Sequence, residues 1–188
     1  MKGRDQFKKY RRVINFLVKI FSFLPNSLKM FFWDSVSFFG GKIFVGIRYV
    51  LLKSMCKQIG DNVYIGKYVV LKNLSKIELG SNVSIHDYTY IDGAGGLSIG
   101  DNVSIAHNCS ILTTNHQWDD LSVPIKYNKE ECKSVVILED VWLGCGVRVL
   151  AGVSIKSRSI IAAGAVVVKD VDANTIYGGI PARLIKKI

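Results

Sequence analysis

Residues 141–168 read VWLGCGVRVLAGVSIKSRSIIAAGAVVV, and in this run a large aliphatic residue returns at every sixth position. A small or β-branched residue stands two places before each of them. A helix would need apolar residues every 3.6 positions and a single strand would need them at every second position, so a period of six fits neither. The period fits a solenoid, in which short strands wind into stacked turns.

The same period extends over residues 59–171. The large aliphatic residues of this series are Ile59, Ile65, Leu71, Leu79, Ile85, Ile91, Ile99, Ile105, Ile111, Ile137, Leu143, Val149, Ile155, Ile161 and Val167. Two extra residues separate Leu71 from Leu79, and two more separate Ile91 from Ile99. Three six-residue repeats therefore make one turn, and the extra residues recur at the same corner of each turn. The sequence therefore predicts an all-β solenoid, a parallel β-helix whose turns stack about 4.8 Å apart.

The residue two places before each large aliphatic should also point inward. It must be small, because a bulky side chain there would overfill a narrow prism. The residues at these positions are Val63, Val83, Thr89, Val103, Cys109, Val147, Val153, Ser159 and Ala165.

Three motifs add to the repeats: the loop Thr113-Thr114-Asn115-His116, the step Val141-Trp142-Leu143-Gly144, and the ending Gly178-Gly179-Ile180-Pro181-Ala182-Arg183. With them, residues 59–188 resemble the left-handed β-helix acyltransferases with hexapeptide repeats. Within that family they resemble the acetyl-CoA-dependent sugar and polysaccharide O-acetyltransferases, which close on Gly-x-Pro-Ala-Lys/Arg. The resemblance implies a left-handed helix, an acyltransferase activity and acetyl-CoA as co-substrate, with no metal required.

Charge divides the chain of 188 residues into two parts. Residues 1–58 contain 12 lysines and arginines against 2 acidic residues, whereas residues 59–188 contain 13 of each, so the whole excess of +10 lies in the first part. We therefore predict a basic helical appendage over 1–58. The acyltransferase domain follows over 59–188, with a loop insertion at 112–136 and a short C-terminal tail.

Three helices are predicted in the appendage. Apolar residues spaced three and four apart form one helical stripe: Phe7, Tyr10, Ile14, Leu17, Phe21 and Leu24. Pro25 ends this helix, a second should run from about Ser27 to Phe39, and Gly40-Gly41 separates it from a third over Lys42–Lys57.

The appendage has two compatible interpretations, a basic amphipathic anchor on an anionic membrane surface and a cap over the open end of the β-helix. Charged residues interrupt every apolar run before 18 residues, which argues against a transmembrane span. Lys19 within the early apolar stretch argues against a signal peptide, and the many phenylalanines argue against a nucleic-acid partner.

Four cysteines without close pairing fit a reducing compartment. We expect a cytoplasmic protein, with peripheral attachment at the inner face of the plasma membrane if the anchor interpretation holds.

The insertion carries the expected catalytic residue. In the resembling family the histidine at the position of His116 is the general base, and a sugar hydroxyl needs such a base because it is a poor nucleophile. Asn115 beside it, and Glu130 and Glu131 later in the insertion, are the supporting candidates. Asp119 and Asp120 are further candidates for orienting the imidazole.

The resemblance also places the co-substrate and the acceptor. Trp142 matches an aromatic residue that lines the acetyl and pantetheine channel, and the remaining matching positions for coenzyme A are Cys145, Ala162, Ala163, Lys169 and Arg183. Val168 lacks the hydroxyl that usually precedes the matching lysine. Tyr90 and Asp92, one turn before the insertion, are candidates for contacting the acceptor saccharide, although relatives often have an asparagine in that region.

Other functions remain open from the sequence. A zinc site of the γ-carbonic-anhydrase kind is disfavoured for two reasons. That family has a second histidine five residues after the first, and here Leu112 stands five residues after His107. His86 and His107 also occupy different positions within their six-residue repeats and should not point the same way. N-acetylation of a nucleotide-linked amino sugar is one alternative, and a non-catalytic scaffold or glycan-binding solenoid is another. The resemblance further implies a homotrimer with its active sites between subunits.

Overall fold

The computed structural model describes residues 3–188, with side chains from residue 5 onward. Three helices come first: α1 (Gly3–Ser22), α2 (Asn26–Val36) and α3 (Lys42–Lys53). Short strands follow: β1 (Gln58–Ile59), β2 (Tyr64–Ile65), β3 (Val70–Lys72), β4 (Ile77–Leu79), β5 (Ser84–Ile85), β6 (Tyr90–Asp92), β7 (Leu97–Ile99), β8 (Ser104–Ile105), β9 (Ser110–Leu112), β10 (Thr114–His116), β11 (Glu130–Cys132), β12 (Val135–Ile137), β13 (Trp142–Leu143), β14 (Arg148–Val149), β15 (Ser154–Ile155), β16 (Ile160–Ile161), β17 (Val166–Val167), β18 (Thr175–Gly178) and β19 (Arg183–Lys187).

The strands wind into a prism with three faces, and each face is a parallel sheet. The first face runs β1-β4-β7-β12-β15, the second runs β2-β5-β8-β13-β16-β18, and the third runs β3-β6-β9-β14-β17. At the C-terminal end β19 adds to β18 in the antiparallel direction. The predicted parallel β-helix with an N-terminal helical region is confirmed.

The core follows the sequence period residue by residue. Every large aliphatic residue of the predicted series is buried, and so is every small residue two places before one. The register explains why like residues recur, since Leu143 stacks between Ile105 on the preceding turn and Ile161 on the following turn. Each turn therefore covers the apolar interior of its neighbour.

The second and third helices are shorter than predicted. Helix α2 ends at Val36 rather than near Phe39, and the chain turns before Gly41, which has φ of 96°. Helix α3 ends at Lys53 rather than Lys57, because the backbone N–H of Lys57 already donates to the carbonyl of Leu74 at 3.3 Å. The chain thus joins the β-helix before the predicted end of the helix.

Only part of the apolar stripe predicted for α1 faces the protein. Phe7, Ile14 and Phe21 pack against the core, whereas Tyr10 and Leu17 are exposed at the edge of the stripe. Across residues 3–188, the structure contains no helix with the length and apolar character needed to traverse a bilayer.

Helix α3 joins the appendage to the β-helix. It packs against β1 and β2, and its Leu51 and Leu52 are wholly buried. Arg48 of the same helix is also buried, and its guanidinium donates to the carbonyls of Ile65 at 3.0 Å, Val36 at 3.0 Å and Phe39 at 2.9 Å. This one side chain therefore connects the end of α2 and the loop after it to the first turn of the β-helix.

Candidate active site

The insertion leaves the β-helix at the corner between the third and first faces, where the two preceding turns have their two extra residues. Its stem is the antiparallel pair β10–β11, in which Thr114 lies opposite Cys132, Asn115 opposite Glu131 and His116 opposite Glu130. The backbone N–H of Gln117 donates to the carbonyl of Lys129 at 2.9 Å and prolongs the pair. His116 is thus held on a regular hairpin stem.

The base of the stem is fixed to the preceding turn by Thr113, which is wholly buried. Its hydroxyl donates to the carbonyl of Asp92 and accepts from the backbone N–H of Gly95, both at 2.8 Å. The backbone of Thr113 passes so close to Gly95 that a Cβ at position 95 would collide with its carbonyl oxygen. Glycine is therefore required at position 95 by close packing.

The far end of the insertion is organised by Asn128, whose side chain is buried. Its carbonyl oxygen accepts from the backbone N–H of Asp120 and its amide donates to the carbonyl of Asp120, both at 3.1 Å. The carboxylate of Asp120 accepts from the backbone and hydroxyl of Ser122, and these hydrogen bonds lower the pKa of Asp120. Asp120 thus maintains a turn within the loop.

Glu130 is the carboxylate that the structure places beside His116. Oε1 of Glu130 lies 3.8 Å from Nε2 of His116, and the two side chains are 60% and 52% exposed. This separation exceeds hydrogen-bond length but allows an ion pair once the imidazole is protonated. Because both groups are solvated, the attraction between them is modest.

A cleft of about 570 Å³ opens beside His116. Its lining consists of Asn115, His116, Gln117, Trp118, Asp119, Glu131 and Lys133. Glu131 forms an ion pair with Lys133 at 2.8 Å, a partner that the sequence reasoning missed. The spacing i, i+2 places residues 131 and 133 on one side of an extended segment, so an extended reading of 130–133 could have found this pair.

The residues predicted for coenzyme A lie together on successive turns. Trp142 is 52% exposed and its strand pairs with Ile160 on the next turn. The backbone N–H of Gly164 donates to the carbonyl of Cys145 at 2.8 Å, and a Cβ on Gly144 would lie only 2.7 Å from the nitrogen of Ala163. Trp142, Cys145, Ala162 and Ala163 thus lie on two neighbouring turns, and we call the surface they form the step.

Arg183 and Lys169 stand at different distances from this step. Arg183 lies opposite Gly178 in the β18–β19 pair, and Gly178 packs beside Ala162. Lys169 is exposed two residues beyond the end of β17, one corner further along the turn. The structure therefore brings Arg183 toward the predicted cofactor residues, whereas Lys169 lies farther round the turn.

The predicted acceptor residues lie on the turn below the loop stem. The carboxylate of Asp92 accepts from the side-chain amide of Asn73 at 2.7 Å and from the backbone N–H of Ala94 at 3.0 Å. Tyr90 is half-buried, with the ammonium of Lys72 5.4 Å from its ring centre. Asp92 therefore helps to hold the corner that supports Thr113.

The two predicted sets form separate groups within one chain. The cleft at His116 is lined by neither Trp142 nor Cys145, and neither alanine of the step contributes to it. The other two histidines lie elsewhere on the β-helix, with the ring of His86 5.3 Å from that of Tyr64. Over the part of the chain that the structure describes, no group of three histidine, cysteine or acidic side chains is arranged to hold a metal ion.

Known proteins share this architecture. Residues 134–169 match the family described as bacterial transferase hexapeptide (six repeats). This segment matches the hexapeptide repeats of bacterial transferases, and the resemblance predicted from the sequence is confirmed.

Particular relatives refine the comparison. The galactoside O-acetyltransferase of Lactococcus lactis is 46% identical over 63 residues, which cover 34% of this chain and 28% of that protein. The 2,3,4,5-tetrahydropyridine-2,6-dicarboxylate N-acetyltransferase of Enterococcus faecalis is 48% identical over 54 residues, covering 29% of this chain and 23% of that one. These matches span less than half the length of the curated relatives.

A solved structure covers far more of the chain. The galactoside acetyltransferase in complex with coenzyme A superposes with a TM-score of 0.72 at 25% identity, over 97% of this chain and 82% of that one. The likeness includes residues well outside the matched repeats.

Proposed function

We propose that this protein transfers an acetyl group from acetyl-CoA to a hydroxyl of a sugar, with His116 as general base. The observation that carries the proposal is the placement of His116 on the β10–β11 stem, open to a cleft and 3.8 Å from the carboxylate of Glu130. An imidazole that is accessible, carried on a paired strand and next to a carboxylate has the properties that general-base catalysis requires.

The reaction proceeds by direct attack. His116 removes the proton from the acceptor hydroxyl while that oxygen attacks the thioester carbonyl carbon, and a tetrahedral oxyanion forms. When the carbon–sulfur bond breaks, the imidazolium returns the proton to the departing thiolate. Glu130 stabilises the imidazolium during the interval, because the pair attracts only when the ring is charged.

The co-substrate would bind at the step bordered by Trp142, Cys145, Ala162 and Ala163. Acetyl-CoA supplies the activated acyl group, and the exposed Trp142 and the small side chains of Ala162 and Ala163 leave room for the long pantetheine arm. Arg183 beside the step and Lys169 farther along the turn are the basic groups proposed for its phosphates. The coenzyme A complex of the galactoside acetyltransferase supports this assignment through its shared fold.

We infer a homotrimer with active sites between subunits, as the resemblance to the hexapeptide-repeat acyltransferases implies. An inter-subunit site is supported by the fact that one chain does not bring its two functional groups into one cleft. The cleft of His116 is lined only by residues of the insertion and of its stem. A neighbouring subunit that placed its Trp142 step against this cleft would complete the site.

The acceptor proposed here is a saccharide of a cell-surface polysaccharide or of a lipid-linked precursor, with Tyr90 and Asp92 on the turn below the stem. The galactoside O-acetyltransferase relative supports a sugar hydroxyl. The tetrahydropyridine-dicarboxylate N-acetyltransferase relative favours an amine as the second candidate acceptor. A nucleotide-linked amino sugar is one acceptor of this kind.

The decisive experiment incubates the protein with acetyl-CoA and a panel of glycans and amino sugars while free thiol release is followed. His116→Gln should lower kcat by about 10²- to 10⁴-fold while coenzyme A binding is retained. His86→Gln, the same substitution at an exposed histidine outside the cleft, is the matched control and should keep most of the rate. A protein that neither binds acetyl-CoA nor releases thiol with any acceptor would be a non-catalytic solenoid, and the proposal would be wrong.

A further inference from the structure

Helix α1 carries two apolar stripes, and only one of them faces the protein. Phe7, Ile14 and Phe21 recur every seven residues and pack against the core. At 3.6 residues per turn, the opposite side of the helix should be polar in a simple surface helix. In this chain that outward side is apolar as well.

The outward stripe consists of Val13, Phe16 and Ile20 on the helix and continues onto Phe23 in the turn directly after it, with spacings of three and four residues. Their exposed fractions are 57%, 63%, 46% and 90%. Single exposed apolar residues are ordinary on proteins, but a contiguous row of four with two phenylalanines marks an interaction surface.

Basic residues accompany this stripe. Lys9, Arg12 and Lys19 are exposed, and helical geometry places each of them within roughly 60° of Phe16 around the axis. Among the ion pairs of the described residues none involves Arg12 or Lys19, whereas Arg11, on the side of the helix that faces the protein, pairs with Asp61 at 2.8 Å. The outward face therefore combines apolar side chains with positive charge that is free to meet an external partner.

The direction of this face is fixed by the contacts on the other side of the helix. Phe7 packs edge-to-face on Tyr49 of α3, with ring centres 5.3 Å apart, and the Arg11–Asp61 pair connects α1 to the β-helix. Phe32 of α2 packs edge-to-face on both Phe21 and Phe31. Phe21 belongs to the inward stripe, so its contact with Phe32 holds α2 against the side of α1 that faces the protein.

We propose that this face, formed by Val13, Phe16, Ile20 and Phe23 with Lys9, Arg12 and Lys19, docks on the surface of an anionic lipid bilayer. Phenylalanine and aliphatic side chains enter the boundary between headgroups and acyl chains, and lysine and arginine contact anionic headgroups. The helix lies in the plane of the surface. The whole +10 excess of the chain, concentrated in residues 1–58, gives the long-range attraction.

The same charges argue against the other occupants. A second copy of the chain on this face would bring Lys9, Arg12 and Lys19 close to their own equivalents, with only Asp5 and Asp34 as acidic residues in the appendage. A nucleic acid would pair with the cations but would leave the row of apolar side chains in water. The bilayer proposal stands independently of acetyl transfer, because it concerns a different part of the surface.

The experiment measures sedimentation of the 188-residue chain with vesicles of phosphatidylcholine alone and with vesicles that also contain 30% phosphatidylglycerol. Arg12→Glu/Lys19→Glu is compared with Lys186→Glu/Lys187→Glu, which changes the net charge equally on the exposed strand β19. Phe16→Ser/Phe23→Ser is compared with Val70→Ser/Leu138→Ser, which removes exposed apolar residues from the β-helix. Circular dichroism of each variant monitors the fold.

We expect at least tenfold tighter binding to the anionic vesicles than to the neutral ones. The affinity of the α1 charge variant for anionic vesicles should fall about 25-fold, at about fivefold for each cation removed. The affinity of the phenylalanine variant should fall about tenfold. Both control variants should stay within about threefold of the parent. Equal losses in a variant and its control would overturn the proposal, and so would tighter binding to duplex DNA than to vesicles. A loss of self-association in the outward-face variants, with vesicle binding unchanged, would assign the face to a second copy.

Discussion

His116 and Glu130 lie opposite each other across the antiparallel pair β10–β11, with Nε2 and Oε1 3.8 Å apart. The register of the two strands places these side chains close together, because directly opposed residues of an antiparallel strand pair have side chains within reach of each other. The carboxylate that accompanies the proposed base is therefore fixed by backbone pairing.

Replacing Glu130 with Gln should lower kcat by about 1.4- to fivefold and leave the KM for acetyl-CoA unchanged. This change in kcat follows from the stabilisation that an exposed ion pair contributes, about 0.2–1 kcal/mol, if the pair forms only in the transition state. Steady-state kinetics at low and high ionic strength provides the measurement. Salt should slow the parent toward the variant and leave the variant nearly unaffected. A loss of 10³-fold would instead make Glu130 a participant in proton transfer.

Gly95→Ala should lower the rate by about tenfold or more, because the added Cβ collides with the carbonyl of Thr113 and displaces the base of the stem that carries His116. Gly46→Ala is the matched control, since Gly46 lies in α3 with nothing within 4 Å of the added atom. It should stabilise the helix by about 0.5–1 kcal/mol and keep full activity. Parallel kinetics and thermal melts of the two variants separate the effects.

Arg48→Met should destabilise the fold by on the order of 3 kcal/mol, since it removes the donor to the buried carbonyl of Ile65 and to the partly buried carbonyls of Val36 and Phe39. Urea unfolding provides the measurement, with fluorescence including that of the buried Trp33. Arg11→Met, at the exposed pair with Asp61, carries the same substitution and should cost less than about 1 kcal/mol. Similar losses in both variants would show that burial of the guanidinium is not the cause.

Alkaline solution should weaken the fold through Cys56. Burial raises the pKa of its thiol from 9.0 to about 12, so above pH 9 the unfolded chain releases a proton that the folded chain retains. The unfolded state then binds fewer protons, and stability falls with rising pH by up to about 1.4 kcal/mol per unit between pH 9 and 12. Urea midpoints from pH 8 to 10.5 should fall more steeply for the parent than for Cys56→Ala. Parallel slopes would assign the alkaline loss to other groups.

The solenoid could be predicted from the sequence because one pattern sets both position and burial. A residue such as Leu143 is large, aliphatic and six places from its neighbours, and the register then stacks it between Ile105 and Ile161. No long-range information was needed beyond the repeat itself. The same reasoning gave the small inward residues, Ser159 and Ala165 among them.

The site was less accessible to sequence reasoning. Strands β10 and β11 are three residues each and almost wholly polar, so no apolar period marks them, and the facing of His116 and Glu130 emerges only from their pairing. The resemblance supplied His116, whereas the ion pair of Lys133 with Glu131 depends on local geometry. The stripe predicted for α1 does meet the core through Phe7, Ile14 and Phe21, whereas the exposure of Tyr10 and Leu17 at its edge was not predicted.

One corner of the prism accepts insertions without disturbing the stacked strands. The insertion leaves between the third and first faces, where the two earlier turns already have slack at residues 73–76 and 93–96. Length added there lies outside the parallel ladders, so the stack tolerates it. This edge is therefore a column of neighbouring graft points, about one strand spacing apart, at which evolution or a protein engineer can vary specificity without redesigning the scaffold.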